Sequence, residues 1–452
     1  MLLKKNYPLG INFLNWLICL IPLSIIVGNL AINLNIIAIC LLGLIIFKYK
    51  IFSSDLNFSK YLLYSFFICL VLITFVNNIL NLDDNVLYKS HLIKSLFFLR
   101  FLILFLVLDK LIKEKYFNTK LFFVSCAFLA SLVAIDTLVQ LIFKQNLIGM
   151  QIPAGAYRPT SFFGTEEVVG GYLQKFSLFA IFWIAFLNKS ENTKKIFIFS
   201  TFVLFFVMIV LAGNRMSALI FVSSFVLFFL IEKKTKFIAL ISLFSICIIF
   251  FATYKLIKPV NVQFNSFFLH AEFILKTAPR IFNENQKDDF VPLFSVENQR
   301  GSSSHIMIFN TGVQLWKKSK IFGNGLKSIR IGCEHGNPKN GKIYSQLCSS
   351  HPHNYTIEIL ADTGLIGFSL ISLIVIVSIL NFLKFYFANP NFNSRLISMP
   401  FFLITIFEFF PIRSTGSFFT TGNAVVIFLM LSILINISKL DFFDKETNTK
   451  GH

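Results

Sequence analysis

Histidines concentrate in one polar segment of an otherwise apolar chain. Five of the seven histidines lie between residues 258 and 354, and His351 and His353 come directly before a long apolar run. Histidine is the side chain best suited to proton transfer near neutral pH. Beside an apolar run, the two rings would lie at the boundary between membrane and water, within reach of a lipid headgroup. His353 is therefore a candidate for acid–base chemistry; plain surface histidines are the alternative.

Polar side chains continue into the apolar run that follows. Asn354, Glu358 and Asp362 are spaced four residues apart, which places them on one face of the predicted helix. Carboxylates at membrane depth are costly and usually face a cavity or a partner. This row is a candidate for acid–base work or for orienting a ligand beside His353. The alternative is a helix end whose acids are simply hydrated.

Arg215 is a second charged residue among apolar surroundings. It lies at a very short turn between two strongly apolar spans, with no acid close to it in sequence. Arginine stays charged and offers a rigid fork of donors, which matches phosphate oxygens. Arg215 is therefore a candidate phosphate donor. The alternative is a structural ion pair with Asp136, Glu166 or Glu408.

Two further segments interrupt the apolar pattern. Residues 157–167 contain Arg158, which could provide a second phosphate donor, and residues 408–417 contain a Pro/Gly break and two charges. Irregular backbone at membrane depth is tolerated only where it lines protein or a wet cavity. We expect both segments to rim one outward-facing pocket.

The elements that position these residues are predicted to be transmembrane helices. The chain is 56% hydrophobic and 14% charged, with 59 phenylalanines in 452 residues, far more apolar than an average soluble domain. Runs long enough to cross a hydrocarbon layer of ~30 Å recur throughout. They predict an all-α polytopic membrane protein with about 12 spans, near 11–28, 31–48, 60–80, 92–109, 121–143, 168–187, 195–213, 216–231, 236–254, 355–383, 397–412 and 421–438.

The connections between these spans predict their orientation. Lysine and arginine collect in alternate connections, such as 110–120 and 189–195, and such connections are retained in the cytoplasm. Both termini are then cytoplasmic. The predicted organisation is nine spans within 1–257, one large periplasmic loop at 258–354, three spans within 355–440, and a cytoplasmic tail at 441–452.

The predicted periplasmic loop has a basic charge balance and two cysteines. Between residues 258 and 353 the chain has twelve Lys and Arg but six Asp and Glu. A basic surface beside a membrane favours an anionic partner such as a lipid phosphate; charge that serves only solubility is the alternative.

Cys333 and Cys348 are the two cysteines of the loop. In an oxidising compartment they can form a disulfide, although two free thiols stay possible.

Three short patterns together resemble the O-antigen ligase and O-antigen polymerase superfamily. They are Gly213-Asn214-Arg215, the run from Ile321 to Gly325, and His353-Asn354 followed by Leu360 and Gly364. The resemblance implies a glycosyltransferase in the inner membrane of a bacterium. It implies an undecaprenyl-diphosphate-linked glycan as the donor, and lipid A core or a growing glycan as the acceptor, on the periplasmic face among membrane lipids. It implies no metal, no other cofactor and no nucleic-acid partner.

The resemblance also implies roles for residues of this chain. Arg215 would hold the diphosphate, and His353 would activate the acceptor hydroxyl. The family often has an arginine where this chain has His305, with Arg300 five residues earlier, so the second cation at the diphosphate stays open. The substrate-binding candidates are Arg158, Arg300, His305, His351, Asn354 and Glu358.

The resemblance leaves the reaction partly open. Ligases, polymerases and transferases that glycosylate proteins share this scaffold, and the sequence does not separate them. A transporter or flippase of lipid-linked oligosaccharides is the alternative from another class. That alternative predicts internal repeats and broken helices with charges near the bilayer midplane, whereas the candidate charges here cluster at one face.

Overall fold

The described part of the chain is all-helical, as the sequence predicts. The computed structural model of the protein describes residues 8–52, 57–80, 85–153, 158–232, 236–257, 260–265, 268, 303–330, 351–411, 413 and 416–440. The first helices are α1 (Leu9–Cys19), α2 (Ile21–Val27), α3 (Asn29–Phe47), α4 (Phe58–Leu80), α5 (Asn85–Phe98), α6 (Arg100–Lys113), α7 (Thr119–Phe143) and α8 (Val169–Phe182). They are followed by α9 (Glu191–Leu211), α10 (Arg215–Ile231), α11 (Lys236–Leu256), α12 (Ser303–Lys318), α13 (Tyr355–Ala388), α14 (Phe392–Glu408) and α15 (Thr421–Ile435).

The helices have the length and composition of a multi-pass membrane protein. Within the described residues, seven helices are long and apolar enough to cross a membrane, or eight if α1 and α2 are one span bent by 44°. Shorter apolar helices include α10 and α15. Each of the twelve predicted spans overlaps a helix or a pair of helices, but the number of spans and the sidedness of the loop stay predictions.

The helix α15 lies at the centre of the bundle. Every residue from Ala424 to Ile435 is buried, which is the pattern of a helix that is apolar all round and enclosed by others. It packs against α3, α6, α13 and α14. Because α15 has 15 residues, it extends about 22 Å. A different group of charged residues lies at each of its ends.

A buried ion cluster lies at the C-terminal end of α15. Asp109 on α6 pairs with Lys60 at 2.7 Å and with Lys113 at 3.2 Å. Asn436, the residue that follows α15, donates its side-chain amide to Asp109 at 3.0 Å. This group, the Asp109 cluster, therefore ties α4, α6 and the end of α15 together.

Candidate active site at the N-terminal end of α15

The Gly213-Asn214-Arg215 turn fastens two helices to each other. Asn214 accepts a hydrogen bond from the backbone of Gly170 at 2.9 Å and donates one to the carbonyl of Glu167 at 3.0 Å. A Cβ at Gly170 would collide with the Asn214 side chain, and Gly213 has a φ of +71°. The two glycines thus allow the close approach, and Asn214 joins the start of α8 to the start of α10, where Arg215 lies.

Arg215 has no acidic partner among the described residues. Its Nη1 donates to the backbone carbonyl of Gln263 at 2.9 Å. Two of the acids considered as partners bind elsewhere: Asp136 accepts from Ser161 at 2.6 Å, and Glu408 binds a lysine and another arginine. The remaining N–H donors of the Arg215 guanidinium are therefore available to bind a ligand.

Arg158 lies close to Arg215. Its Nη1 is 3.1 Å from Glu167, the residue whose carbonyl accepts from Asn214. The charges of Arg158 and Arg215 are near enough to interact. Two guanidinium groups therefore lie close together at this end of the bundle.

A buried ion cluster lies beneath the connection between α14 and α15. Glu408 is 3.1 Å from Lys175 on α8 and 2.6 Å from Arg413, and all three side chains are buried. Tyr355, the first residue of α13, donates its hydroxyl to the same carboxylate at 3.2 Å. Arg413 also donates to the carbonyl of Phe407 at 3.0 Å. We call Lys175, Glu408 and Arg413 the Glu408 cluster.

Asn354 connects this cluster to His353. Its side-chain amide donates to the carbonyl of Pro411 at 2.7 Å and to that of Arg413 at 3.1 Å, while its oxygen accepts from the backbone of Ile357 and caps α13. His353, the residue before it, has a φ of +54°. A non-glycine residue in the left-handed region is uncommon and persists only where its surroundings hold it. Asn354 provides that hold.

Arg215 and His353 are thus joined by a continuous path of contacts. The path runs from the Arg215 turn through Asn214 to the start of α8, along α8 to Lys175, and through Glu408 and Arg413 to Asn354. It brings both predicted catalytic residues to the same end of the bundle, and the segments 157–167 and 408–417 lie along it.

Glu358 and Asp362 bind the protein's own loops. Glu358 accepts from the Ser417 hydroxyl and from the backbone of Phe418, both at 2.6 Å. Asp362 accepts from the backbone of Lys327 at 2.6 Å and from the Ser328 hydroxyl at 2.6 Å. The acids of this row hold two connections in place, and direct contact between Glu358 and a substrate stays a prediction.

Gly323, Gly325 and Gly364 lie where two backbone segments dock against each other. The helix α13 is interrupted at Gly364, which has a φ of +63°. Residues 320–325 fill the break: the amides of Asn324 and Gly325 donate to the carbonyls of Ala361 and Asp362, each at 2.9 Å. In the opposite direction, the amides of Leu365 and Ile366 donate to the carbonyls of Lys320 and Ile321 at 2.9 and 3.2 Å. Each half of α13 therefore regains hydrogen bonds that the break removes.

The same segment of the predicted loop also packs into the bundle. The backbone of Leu326 donates to the Thr74 hydroxyl on α4 at 3.0 Å, and its carbonyl lies 2.9 Å from Nδ1 of His91 on α5. The helix α12 packs along α13. Residues 303–330 are therefore part of the bundle and fix the outer half of α13.

His351 lies near His353 and Lys327. The rings of His351 and His353 are 4.2 Å apart. Burial lowers the pKa of His351 to about 4, and the charges of His353 and Lys327 contribute to this shift. Burial also lowers the pKa of Lys327, and the charge of Lys94 lowers it further. His351 is therefore a weak proton acceptor near neutral pH, which favours His353 as the base.

Some predicted site residues cannot be located. Arg300, Cys333 and Cys348 lie outside the described residues, and His305 lies on α12 with its side chain outside them. Sequence reasoning missed Lys175. The signal for it was a lysine seven residues into an apolar span, a costly position that usually has a partner or a function.

A comparison with known families gives a match that covers part of this site. Residues 200–372 match the family model of the O-antigen ligase. The match includes Arg215, the Gly323-Asn324-Gly325 run, His353 and Gly364, and it confirms the resemblance to the O-antigen ligase and polymerase superfamily. Among curated proteins, no sequence matches this chain.

Proposed function

We propose that the protein is a membrane glycosyltransferase of the O-antigen ligase and polymerase type, which acts in the synthesis of a surface polysaccharide. The observation that carries the proposal is the family match over residues 200–372, since that segment contains both Arg215 and His353. The donor is a glycan on an undecaprenyl diphosphate carrier, and the acceptor is a hydroxyl group of lipid A core or of a growing glycan. The reaction takes place at the periplasmic face of the bacterial inner membrane.

The chemistry assigns different tasks to the two ends of the contact path. When the glycosidic bond to the carrier breaks, negative charge develops on the leaving diphosphate, and Arg215 with Arg158 stabilises it. His353 accepts the proton of the acceptor hydroxyl as that oxygen attacks the anomeric carbon. Asn354, which is bonded to the 411–413 connection, keeps His353 in its left-handed backbone conformation during this step.

Reconstitution tests the proposal. The purified chain in liposomes is supplied with a polyprenyl-diphosphate-linked glycan and either lipid A core or a second glycan-loaded carrier, and the products are separated by size. We expect the glycan to move to one of these acceptors with release of the polyprenyl diphosphate. If the lipid-linked glycan crosses the membrane while its linkage stays intact, the protein is a flippase and the proposal is wrong.

A further inference from the structure

Lys327 has a backbone conformation that non-glycine residues rarely adopt. Its φ is +58°, in the left-handed region. Three other lysines with a positive φ directly follow helices, where a left-handed residue commonly ends the helix; they are Lys48, Lys115 and Lys144. Lys327 lies instead in a connection of the candidate site, as His353 does. Strained backbone away from helix ends is concentrated at active sites and ligand clamps.

Hydrogen bonds on both sides hold Lys327 in this conformation. Its own amide donates to Oδ2 of Asp362 at 2.6 Å. The amide and the hydroxyl of Ser328 donate to Oδ1 of the same carboxylate at 3.0 and 2.6 Å. On the other side, Leu326 is bonded to α4 and α5. Three helices therefore fix the backbone of Lys327, and none of these bonds uses its side chain.

The ammonium of Lys327 is left for another partner. The side chain is partly exposed and has no hydrogen bond or ion pair with any other described residue. Its charge interacts with those of Glu358 and Asp362, whose oxygens accept the hydrogen bonds given above, and with those of Lys94 and Arg330. Burial and the charge of Lys94 lower the pKa of Lys327. A bound anion would offset both effects, because it stabilises the charged ammonium.

Lys327 lies beside the two histidines of the candidate site. It is close enough to His351 for their charges to interact, and the rings of His351 and His353 are 4.2 Å apart. The segment of Lys327 is bonded to α4, α5 and α13, whereas the turn that contains Arg215 is bonded to the start of α8. A transferase needs two substrate-binding regions around its base. Since Arg215 and Arg158 are assigned to the donor, Lys327 is placed to bind the acceptor.

We propose that Lys327 is an acceptor-binding residue, whose ammonium binds a phosphate or carboxylate group of the acceptor glycan and so holds the acceptor hydroxyl at His353. The inference rests on the proposed function and adds a residue and a ligand class to it. Lys94 on α5 and Arg330 place two further cations near Lys327, which favours an anionic group over a neutral sugar hydroxyl. The fixed backbone sets the direction in which the lysine side chain leaves the segment.

The kinetics of reconstituted glycan transfer test this inference, with the acceptor that receives glycan from the unmodified chain. Lys327→Gly removes the ammonium but keeps the amide that donates to Asp362, and glycine adopts a φ of +58° without strain. The variant should therefore unfold at the same temperature as the unmodified chain or higher. Its KM for the acceptor should rise about 10- to 100-fold, the range for a hydrogen bond to a charged group. The kcat and the KM for the donor should stay nearly unchanged.

Two further variants serve as controls. Lys115→Gly is matched in backbone, because Lys115 has a φ of +61°. Lys115 is exposed and follows α6 at the end that carries the Asp109 cluster, so this substitution should leave the KM for the acceptor unchanged. Lys327→Arg keeps a cation and should restore most of the affinity for the acceptor.

Chemical treatment of the acceptor identifies the anionic group. The acceptor is compared before and after removal of its phosphate groups, and before and after reduction of its carboxylates to alcohols. The treatment that removes the partner of Lys327 should raise the KM of the unmodified chain to that of Lys327→Gly and leave the KM of the variant unchanged.

Three results would overturn the assignment of Lys327 while glycan transfer itself is observed. They are an unchanged acceptor KM in Lys327→Gly, an equal increase in Lys115→Gly, and an unmodified chain whose acceptor KM responds to neither treatment. Absence of transfer by the unmodified chain would instead overturn the proposed function, and the role of Lys327 with it.

Discussion

The two ends of α15 carry ion clusters of the same composition in different settings. At the C-terminal end, Asp109 binds Lys60, Lys113 and Asn436, and these contacts connect helices to one another. At the N-terminal end, the Glu408 cluster binds the connections that precede α13 and α15. The first cluster joins rigid elements, whereas the second positions loops that contain candidate catalytic residues.

This difference shows that composition alone does not identify a functional charge inside a membrane protein. Both clusters contain two cations and one acid, and in both the acid is buried. Among the described residues, the cluster at the N-terminal end is connected by the hydrogen bonds of Asn354 to His353, whose backbone is in the left-handed region. Function is inferred from that connection. The predictions that follow test the two ends separately.

The largest effect is expected at His353. His353→Ala should lower glycan transfer by ~100- to 10,000-fold, the usual contribution of a general base, and should leave donor binding largely intact. Transfer and donor binding are measured separately on the reconstituted chain. His351→Ala is the matched control, with a smaller loss expected. Transfer at the unmodified rate by folded His353→Ala would exclude His353 as the base.

At the opposite end, Asp109→Asn should affect stability. Removal of one partner from a buried ion pair typically costs about 3–5 kcal/mol, because the other charge stays buried and unpaired. Thermal or denaturant unfolding in detergent measures the loss. Glu114→Gln is the control, since it breaks the partly exposed Lys110–Glu114 pair of 2.8 Å, in which the residues are four apart on one helix, and such pairs contribute about 0.3–0.5 kcal/mol. Equal losses in the two variants would contradict the structural role of Asp109.

Arg215→Lys should weaken donor binding without unfolding the chain. The substitution keeps the charge but removes the fork of donors, and a hydrogen bond to a charged group contributes about 1.5–3 kcal/mol. We therefore expect roughly 10- to 100-fold weaker binding of the lipid-linked donor. Binding is measured in nanodiscs. An unchanged donor affinity would exclude Arg215 from the diphosphate site.

Gly364→Ala should destabilise the outer half of α13. Gly364 has a φ of +63°, and a Cβ at this position would collide with the carbonyl oxygen of Ile321. Gly149 is the matched control, because its φ is +83° and a Cβ there meets nothing within 4 Å. Gly149→Ala should cost only the left-handed strain of about 1–2 kcal/mol. Unfolding measurements that give the same loss for both variants would show that the docking of residues 320–325 is not essential.

The sequence predicts the helices and the ends at which Arg215 and His353 lie, but not how the site is assembled. Apolar length predicts a helix because a membrane requires internally satisfied backbone. The partners of Lys175 depend on which helices pack together, and the sequence around Lys175 contains no information about Arg413. Similarly, helical spacing places Glu358 on the same face of α13 as Asn354 and Asp362. It does not show that the Ser417 hydroxyl and the Phe418 backbone donate hydrogen bonds to the Glu358 carboxylate.

In the sequence, Gly323-Asn324-Gly325 has meaning only as part of a family resemblance. Its physical reason is a hydrogen-bonded junction between two segments that are about 40 residues apart in sequence. A single glycine does not by itself predict a break, since Gly367, three residues later, lies in continuous helix. Such long-range backbone docking becomes visible only in three dimensions.

The smallest expected effect is the pH dependence contributed by His351. Its folded-state pKa of about 4 lies below the ordinary value of 6.5, so the unfolded chain binds more protons between these values. Stability should therefore rise with pH in this window and fall as the pH is lowered from about 6.5 towards 4. The free energy of unfolding is measured across this pH range for the unmodified chain and for His351→Asn. Subtracting one profile from the other cancels the contribution of the Asp and Glu side chains, which both proteins share. Because His351 belongs to the N-terminal end of α15, its protonation should loosen the loops of the Glu408 cluster and leave the Asp109 cluster unchanged. Parallel pH profiles for the two proteins would show that His351 is hydrated and titrates normally in the folded state.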